Sequence, residues 1–152
     1  MVLTIALMGV LGLAFLSISA GTLQEQVLQA SNLTQETMEA VRNFRDGVAW
    51  NNDDFANEYD GLGVVGIGVP YHPLMSSDVP PRWQLISGAE TVNGFTRSVV
   101  FDEVRRNASD NIVTTGGTVD PNTKQATVTV SWTEKGRSHQ VELVTYFTNW
   151  NE

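Results

Sequence analysis

Thr22-Leu-Gln-Glu-Gln-Val-Leu-Gln-Ala-Ser-Asn-Leu-Thr-Gln-Glu-Thr-Met-Glu-Ala-Val-Arg-Asn-Phe-Arg-Asp-Gly-Val-Ala-Trp50 contains no proline, and its apolar residues return at three-to-five-residue steps. Leu23, Val27, Ala30, Leu33, Met38, Val41, Phe44 and Val48 form the stripe of an amphipathic helix. Gln24, Glu25, Gln29, Glu36, Glu39 and Arg42 occupy the other side. A helix with one apolar stripe needs something to bury it against. Asn51-Asn-Asp-Asp54 supplies the stop, because short amides and carboxylates compete for backbone hydrogen bonds and favour turns.

Upstream the pattern changes. Met1–Ala20 holds 15 hydrophobic residues and no charge, apolar all round rather than on one side. As a helix rising about 1.5 Å per residue, about 20 residues match the roughly 30 Å hydrocarbon core of a bilayer. Thr4, Ser17 and Ser19 can bond their hydroxyls to the preceding helical turn and so permit insertion. A cleaved secretory signal competes, with Ser17-Ile18-Ser19 as a small-x-small site, but the basic start of such signals is missing. An ordinary core helix would show a polar face, and this run shows none. Gly21 at the junction costs a continuous helix only about 1 kcal/mol. The expectation is one helix through residue 48 or so: 1–22 in a membrane or filament core, 23–50 amphipathic, and 51–152 a globular β domain.

Downstream of the stop, residues 51–82 carry four of the five prolines and Gly61, Gly63, Gly66 and Gly68, which reads as loop with one short strand. Beyond them the period becomes two. Ala126, Val128, Val130 and Trp132 alternate with Gln125, Thr127, Thr129 and Ser131, and Val141, Leu143, Thr145 and Phe147 alternate in the next run. Glu134-Lys-Gly-Arg137 reads as the hairpin turn between them, Gly94–Arg106 as a third strand, and Asp120-Pro-Asn-Thr123 as a turn. The fold class that follows is α+β: a long N-terminal helix whose amphipathic half covers one face of a C-terminal antiparallel sheet. Met38, Val41, Phe44 and Val48 are expected to pack on Val128, Val130, Trp132, Leu143 and Phe147.

Thr4-Ile-Ala-Leu-Met-Gly-Val-Leu11 resembles the Ala-x-x-Gly-x-Leu core of the N-terminal helix of type IV pilins and type II secretion pseudopilins. The closing stretch from Asp120 through Trp150 is similar to the last hairpin of some bacterial pilin-like proteins. The resemblance covers the two ends of the chain and leaves 51–93 unmatched. It implies a structural subunit of an extracellular type IV pilus-like filament, stored in the bacterial inner membrane and polymerised through its N-terminal helix. The alternative within the same resemblance is a minor pseudopilin or a membrane-anchored binding protein of a secretion or DNA-uptake apparatus. Implied partners are copies of the chain in a helical homopolymer, the bilayer before assembly, and pilus assembly machinery. Ala6, Gly9, Gly12 and Ala14 are the small residues that would let neighbouring helices approach in the filament core. The family's N-terminal glutamate would fall immediately before Met1, which implies either that Met1 lies inside a longer precursor, the favoured expectation because it keeps the Ala6 and Gly9 match, or that Met1 is the mature end and Ile5 replaces the acid, as in certain minor pseudopilins. The family's helix-breaking proline is missing from this segment, and Gly9 and Gly12 are expected to give a weaker loosening point.

Composition narrows the remaining classes. With 17 acidic against 9 basic residues, a net charge of −8 and no Lys or Arg before Arg42, the chain offers no basic face for nucleic acid. Without cysteine there is no disulfide, thiol nucleophile or thiolate metal site. Gly61-Leu-Gly-Val-Val-Gly66 fits G-x-G-x-x-G in letters, but polar residues precede it and prolines follow, so a glycine-rich loop is expected. Asp53, Asp54, Glu58 and Asp60 are calcium-type ligands without calcium-loop spacing, which reads as a solvated turn. His72 and His139, with Ser76, Ser77 or Ser138, give no triad order or nucleophile elbow. Arg105-Arg106 reads as a solvated edge-strand pair, and Trp83, Trp132 and Trp150 as packing residues. No catalytic, cofactor or metal site is expected.

Overall fold

A computed structural model describes the backbone of residues 2–149 and the side chains of residues 21–149. One helix, α1 (Val2–Gly47), precedes seven strands: β1 (Pro70–Met75), β2 (Trp83–Ser87), β3 (Glu90–Val92), β4 (Phe95–Arg106), β5 (Ile112–Val113), β6 (Thr118–Glu134) and β7 (Arg137–Thr148). The strands form one sheet in the order β2-β1-β4-β6-β7, every pairing antiparallel, with the short β3 and β5 also on β4. The chain is thus α+β, a helix on a single antiparallel sheet.

Alternation decides which face of the sheet is dry. Along β4, Phe95, Arg97, Val99 and Phe101 point inward, and along β6, Ala126, Val128, Val130 and Trp132 do the same. Hairpin β6–β7 turns through Lys135 (φ 50°) and Gly136 (φ 76°), the left-handed conformation that a two-residue loop between twisted strands requires. Asp120–Thr123 differs from expectation: it does not turn the chain but lies within β6, where the register against β4 shifts between Glu103 and Val104. A bulge accommodates Pro121, whose missing N–H would break a regular ladder. Residues 51–82 hold β1 as their one strand, and the next strand, β2, starts at Trp83.

Two apolar clusters join helix and sheet. Met38, Val41 and Phe44 of α1 meet Leu85, Val99, Phe101, Ala126, Val128 and Phe147, with Trp50, Leu62 and Val65 closing the end. Nearer the helix start, Ala30, Phe95, Val130 and Trp132 make a second cluster flanked by Leu23, Leu33 and Val141. The helix and β4 therefore run in the same direction. Burying each large apolar side chain contributes about 1.5–3 kcal/mol, so these clusters fix the helix on the sheet.

The buried face of α1 is less apolar than its stripe implies. Thr34 and Thr37 are buried on it, each donating its hydroxyl to the carbonyl four residues earlier, Ala30 and Leu33, at 2.7 Å. That bond satisfies the hydroxyl internally and lets it face the sheet without cost in unpaired groups. Val27, placed on the stripe from spacing, is instead 42% exposed, because Gln26 takes the position against the sheet.

Candidate functional site

The helix–sheet interface brings most of the anticipated packing residues together. Met38, Val41, Phe44, Val128 and Phe147 share one cluster, and half-buried Val48 packs against it. Val130 and Trp132 belong to the second cluster with Ala30 rather than to that of residues 38–44, since β6 runs opposite to β4 and α1 and these two lie farther along it, toward the helix start. Leu143 is a correction. It stands opposite Val128 and on the same face, but β7 is the edge strand, and α1 leaves Leu143 37% exposed. Ala6, Gly9, Gly12 and Ala14 lie outside the residues whose side chains are described.

Polar contacts lock the same interface at points that apolar periodicity did not reveal. The Trp132 indole N–H donates to Gln26 Oε1 at 3.1 Å, and Trp132 also stacks on His139 with ring centres 5.4 Å apart. The Arg97 guanidinium, almost buried, donates to Glu90 Oε2 at 2.7–2.8 Å and reaches Glu36 Oε1 on α1 at 3.4 Å. Trp50 Nε1 donates to the Pro121 carbonyl at 3.2 Å, tying the chain just past α1 to the β6 bulge. The sequence signal for Gln26, Thr34 and Thr37 was their helical spacing with Ala30, Met38 and Val41. For Arg97 it was strand parity with Phe95 and Val99.

The glycine-rich stretch has a structural explanation. Gly61 N–H donates to Asn52 O and Gly63 N–H to Trp50 O, both at 2.8 Å. A Cβ on Gly61 would collide with the Ala49 and Trp50 carbonyls, and one on Gly63 with the Trp50 ring. The loop wraps Trp50 and inserts Leu62 and Val65 into the core.

The remaining candidates are occupied within the fold. Asp60 Oδ1 accepts the Asp54 N–H at 2.7 Å, and Glu58 Oε2 accepts from Gln84 at 2.6 Å. Among the described residues no three His, Asp or Glu side chains converge to hold a metal. His72 Nδ1 lies 3.0 Å from the Gly88 carbonyl, and no hydrogen bond joins either histidine to a serine hydroxyl among the described residues. Arg105-Arg106 is not an edge pair, because β4 is central in the sheet. Arg106 Nε donates to Asp120 Oδ2 at 2.6 Å, an interaction that raises the guanidinium further above its ordinary range. Burial opposes ionisation of Asp120, but Arg106, the Thr123 hydroxyl and the Asn122 N–H outweigh it and hold the carboxyl below the usual aspartate value. Asp78 is lowered too, first by the Tyr59 hydroxyl at 2.8 Å, then by Ser76, with Arg82 adding to it.

What this arrangement does physically is hold one helix in a fixed rotation on a sheet, through two apolar clusters and three polar ties. Among the described residues no helix is long and apolar enough to cross a membrane. No family model, no curated protein and no solved structure matches the chain.

Proposed function

We propose that the chain is a structural subunit of an extracellular type IV pilus-like filament, held in the bacterial inner membrane by its N-terminal helix and polymerised through it. The observation that carries this reading is the continuity of α1 over 46 residues, Val2–Gly47. Among the residues whose side chains are described, the sheet meets that helix from Leu23 onward. The first 20 residues of the sequence are uncharged and 15 of them are hydrophobic, and from Val2 the helix runs into the covered part without a break.

Such a segment needs lipid or other helices around it. In the membrane it spans; on assembly it exchanges lipid contacts for close packing with copies of itself, with Ala6, Gly9, Gly12 and Ala14 allowing backbones to approach. The fixed rotation of α1 on the sheet then turns helix packing into a set position for each outer domain. Outward-facing domains with a net charge of −8 repel one another between filaments and keep them dispersed.

The test compares surface material sheared from wild-type cells with that from cells carrying Gly9→Leu. The reading expects the chain as the main component of wild-type filaments, and fewer or altered filaments in the variant with the sheet domain still folded by circular dichroism. A chain found only as a membrane monomer would favour the anchored binding protein instead.

A further inference from the structure

Two Asn-x-Ser/Thr triplets, the acceptor pattern for N-linked glycans, occur in the chain: Asn32-Leu33-Thr34 and Asn107-Ala108-Ser109. Their surroundings differ in the way that decides acceptance. Asn32 lies in the middle of α1, and the Thr34 hydroxyl is buried against the sheet and donated to Ala30 O. A helical backbone fixed on both sides cannot bend to present that hydroxyl beside the asparagine.

Asn107 follows the last residue of β4 and opens an exposed turn to β5. Its Oδ1 accepts the N–H groups of Ser109 at 2.9 Å and Asn111 at 3.1 Å. Both partners are donors, so this atom is the carbonyl oxygen and Nδ2 is the outward end of the amide. Neither Asn107 Nδ2 nor Ser109 Oγ has a hydrogen-bond partner among the described residues. Arg106 holds the turn open by donating to Asp110 O at 3.0 Å while bound to Asp120. Phe95 packs beside Ala30, and Val99 and Phe101 beside Met38 and Phe44, so β4 carries Asn107 toward the Gly47 end of α1 and away from Gly21. That is the opposite end of α1 from the one that joins the uncharged N-terminal run.

We propose that Asn107 is an N-glycosylation site and that Asn32 is not, an inference that rests on the sheet domain being delivered outside the cytoplasm. The donor class is a lipid-linked glycosyl phosphate used by a membrane glycosyltransferase. A bond forms between Asn107 Nδ2 and the anomeric carbon, and the bond from that carbon to the lipid phosphate oxygen breaks. The lipid phosphate leaves with the electron pair, and Nδ2 gives up one proton.

The experiment uses the full chain isolated from its own cells, extended after Glu152 by a flexible tail carrying Asn-Ala-Thr as a reporter. Trypsin cleaves after Arg42, Arg106 and Lys124, so peptide 1–42 and peptide 107–124 each hold one triplet. The expected result is a glycan mass on 107–124, located at Asn107 by fragmentation, lost in Asn107→Gln and Ser109→Ala, kept in Ser109→Thr, and unchanged in Asn32→Gln. A glycan on peptide 1–42, or a mass on 107–124 that survives Ser109→Ala, overturns the proposal. Bare Asn107 beside a modified reporter overturns it while leaving delivery intact; bare Asn107 with a bare reporter overturns both.

Discussion

Trp132 and Gln26, 106 residues apart in the chain, meet through one 3.1 Å hydrogen bond from indole N–H to side-chain carbonyl. Trp132 is buried and its indole is a donor only, so Gln26 is the group that satisfies it. Gln26→Ala should therefore destabilise the fold by about 1–3 kcal/mol, the range for stranding a buried donor. Urea denaturation of a soluble chain lacking residues 1–20 measures this. In the Trp132→Phe background the same change should cost far less, and an equal cost in both would remove the bond from the account.

Among the described residues Phe44 is the largest helix side chain in the core, 1% exposed and in one cluster with Val41, Val128 and Phe147. Phe44→Ala removes that volume and leaves a cavity worth about 3–5 kcal/mol of stability. The same denaturation measurement decides it: a loss below about 1 kcal/mol would put Phe44 at the surface.

Arg97 ranks its two carboxylates unequally. Glu90 is the closer and more buried partner, 2.7 Å away and 30% exposed, whereas Glu36 lies 3.4 Å away and is 65% exposed. Breaking a well-buried pair from one side costs about 3–5 kcal/mol, and an exposed pair is worth about 0–1 kcal/mol. Glu90→Gln should accordingly destabilise the soluble chain several-fold more than Glu36→Gln. Equal effects would mean that the guanidinium is better hydrated than its position implies.

Asp120 makes a prediction in acid. Its carboxyl is held below the ordinary aspartate value of about 3.9, so its contribution is fully present above that pH and is lost as the pH falls through the folded value. Asp120→Asn should be less stable than wild type at neutral pH, with the gap narrowing below about pH 4. Urea midpoints across that range give the test; a gap that widens in acid would reverse the assigned direction.

The parts of the fold legible in sequence were those with long, unmixed periods. Hairpin β6–β7 was readable because strands of 17 and 12 residues, alternating over the stretch nearest the turn, flank a Lys-Gly turn, and β4 because it too runs for 12 residues. β2, β3 and β5 have five, three and two residues, too few to establish a period. Asp120–Thr123 reads as a turn because proline beside aspartate and asparagine is turn chemistry, yet a bulge absorbs all of it into β6. Leu143 carries the correct parity, but parity does not say which strand is the edge. Thr34 and Thr37 went unread on the interface because back-bonded threonine behaves as a core residue while looking polar. The G-x-G-x-x-G letters were legible only as a loop; that they wrap Trp50 is a tertiary fact.

Helical reconstruction by electron cryomicroscopy of filaments sheared from cells producing the chain is the most direct measurement of its proposed role. The expected core is residues 1–20 from many copies bundled as helices along the axis, with the sheet domains outside and α1 at the same rotation on each sheet. Filaments whose core is built from the sheets, or cells in which the chain is present in the membrane and no filament contains it, would rule out the filament-subunit role.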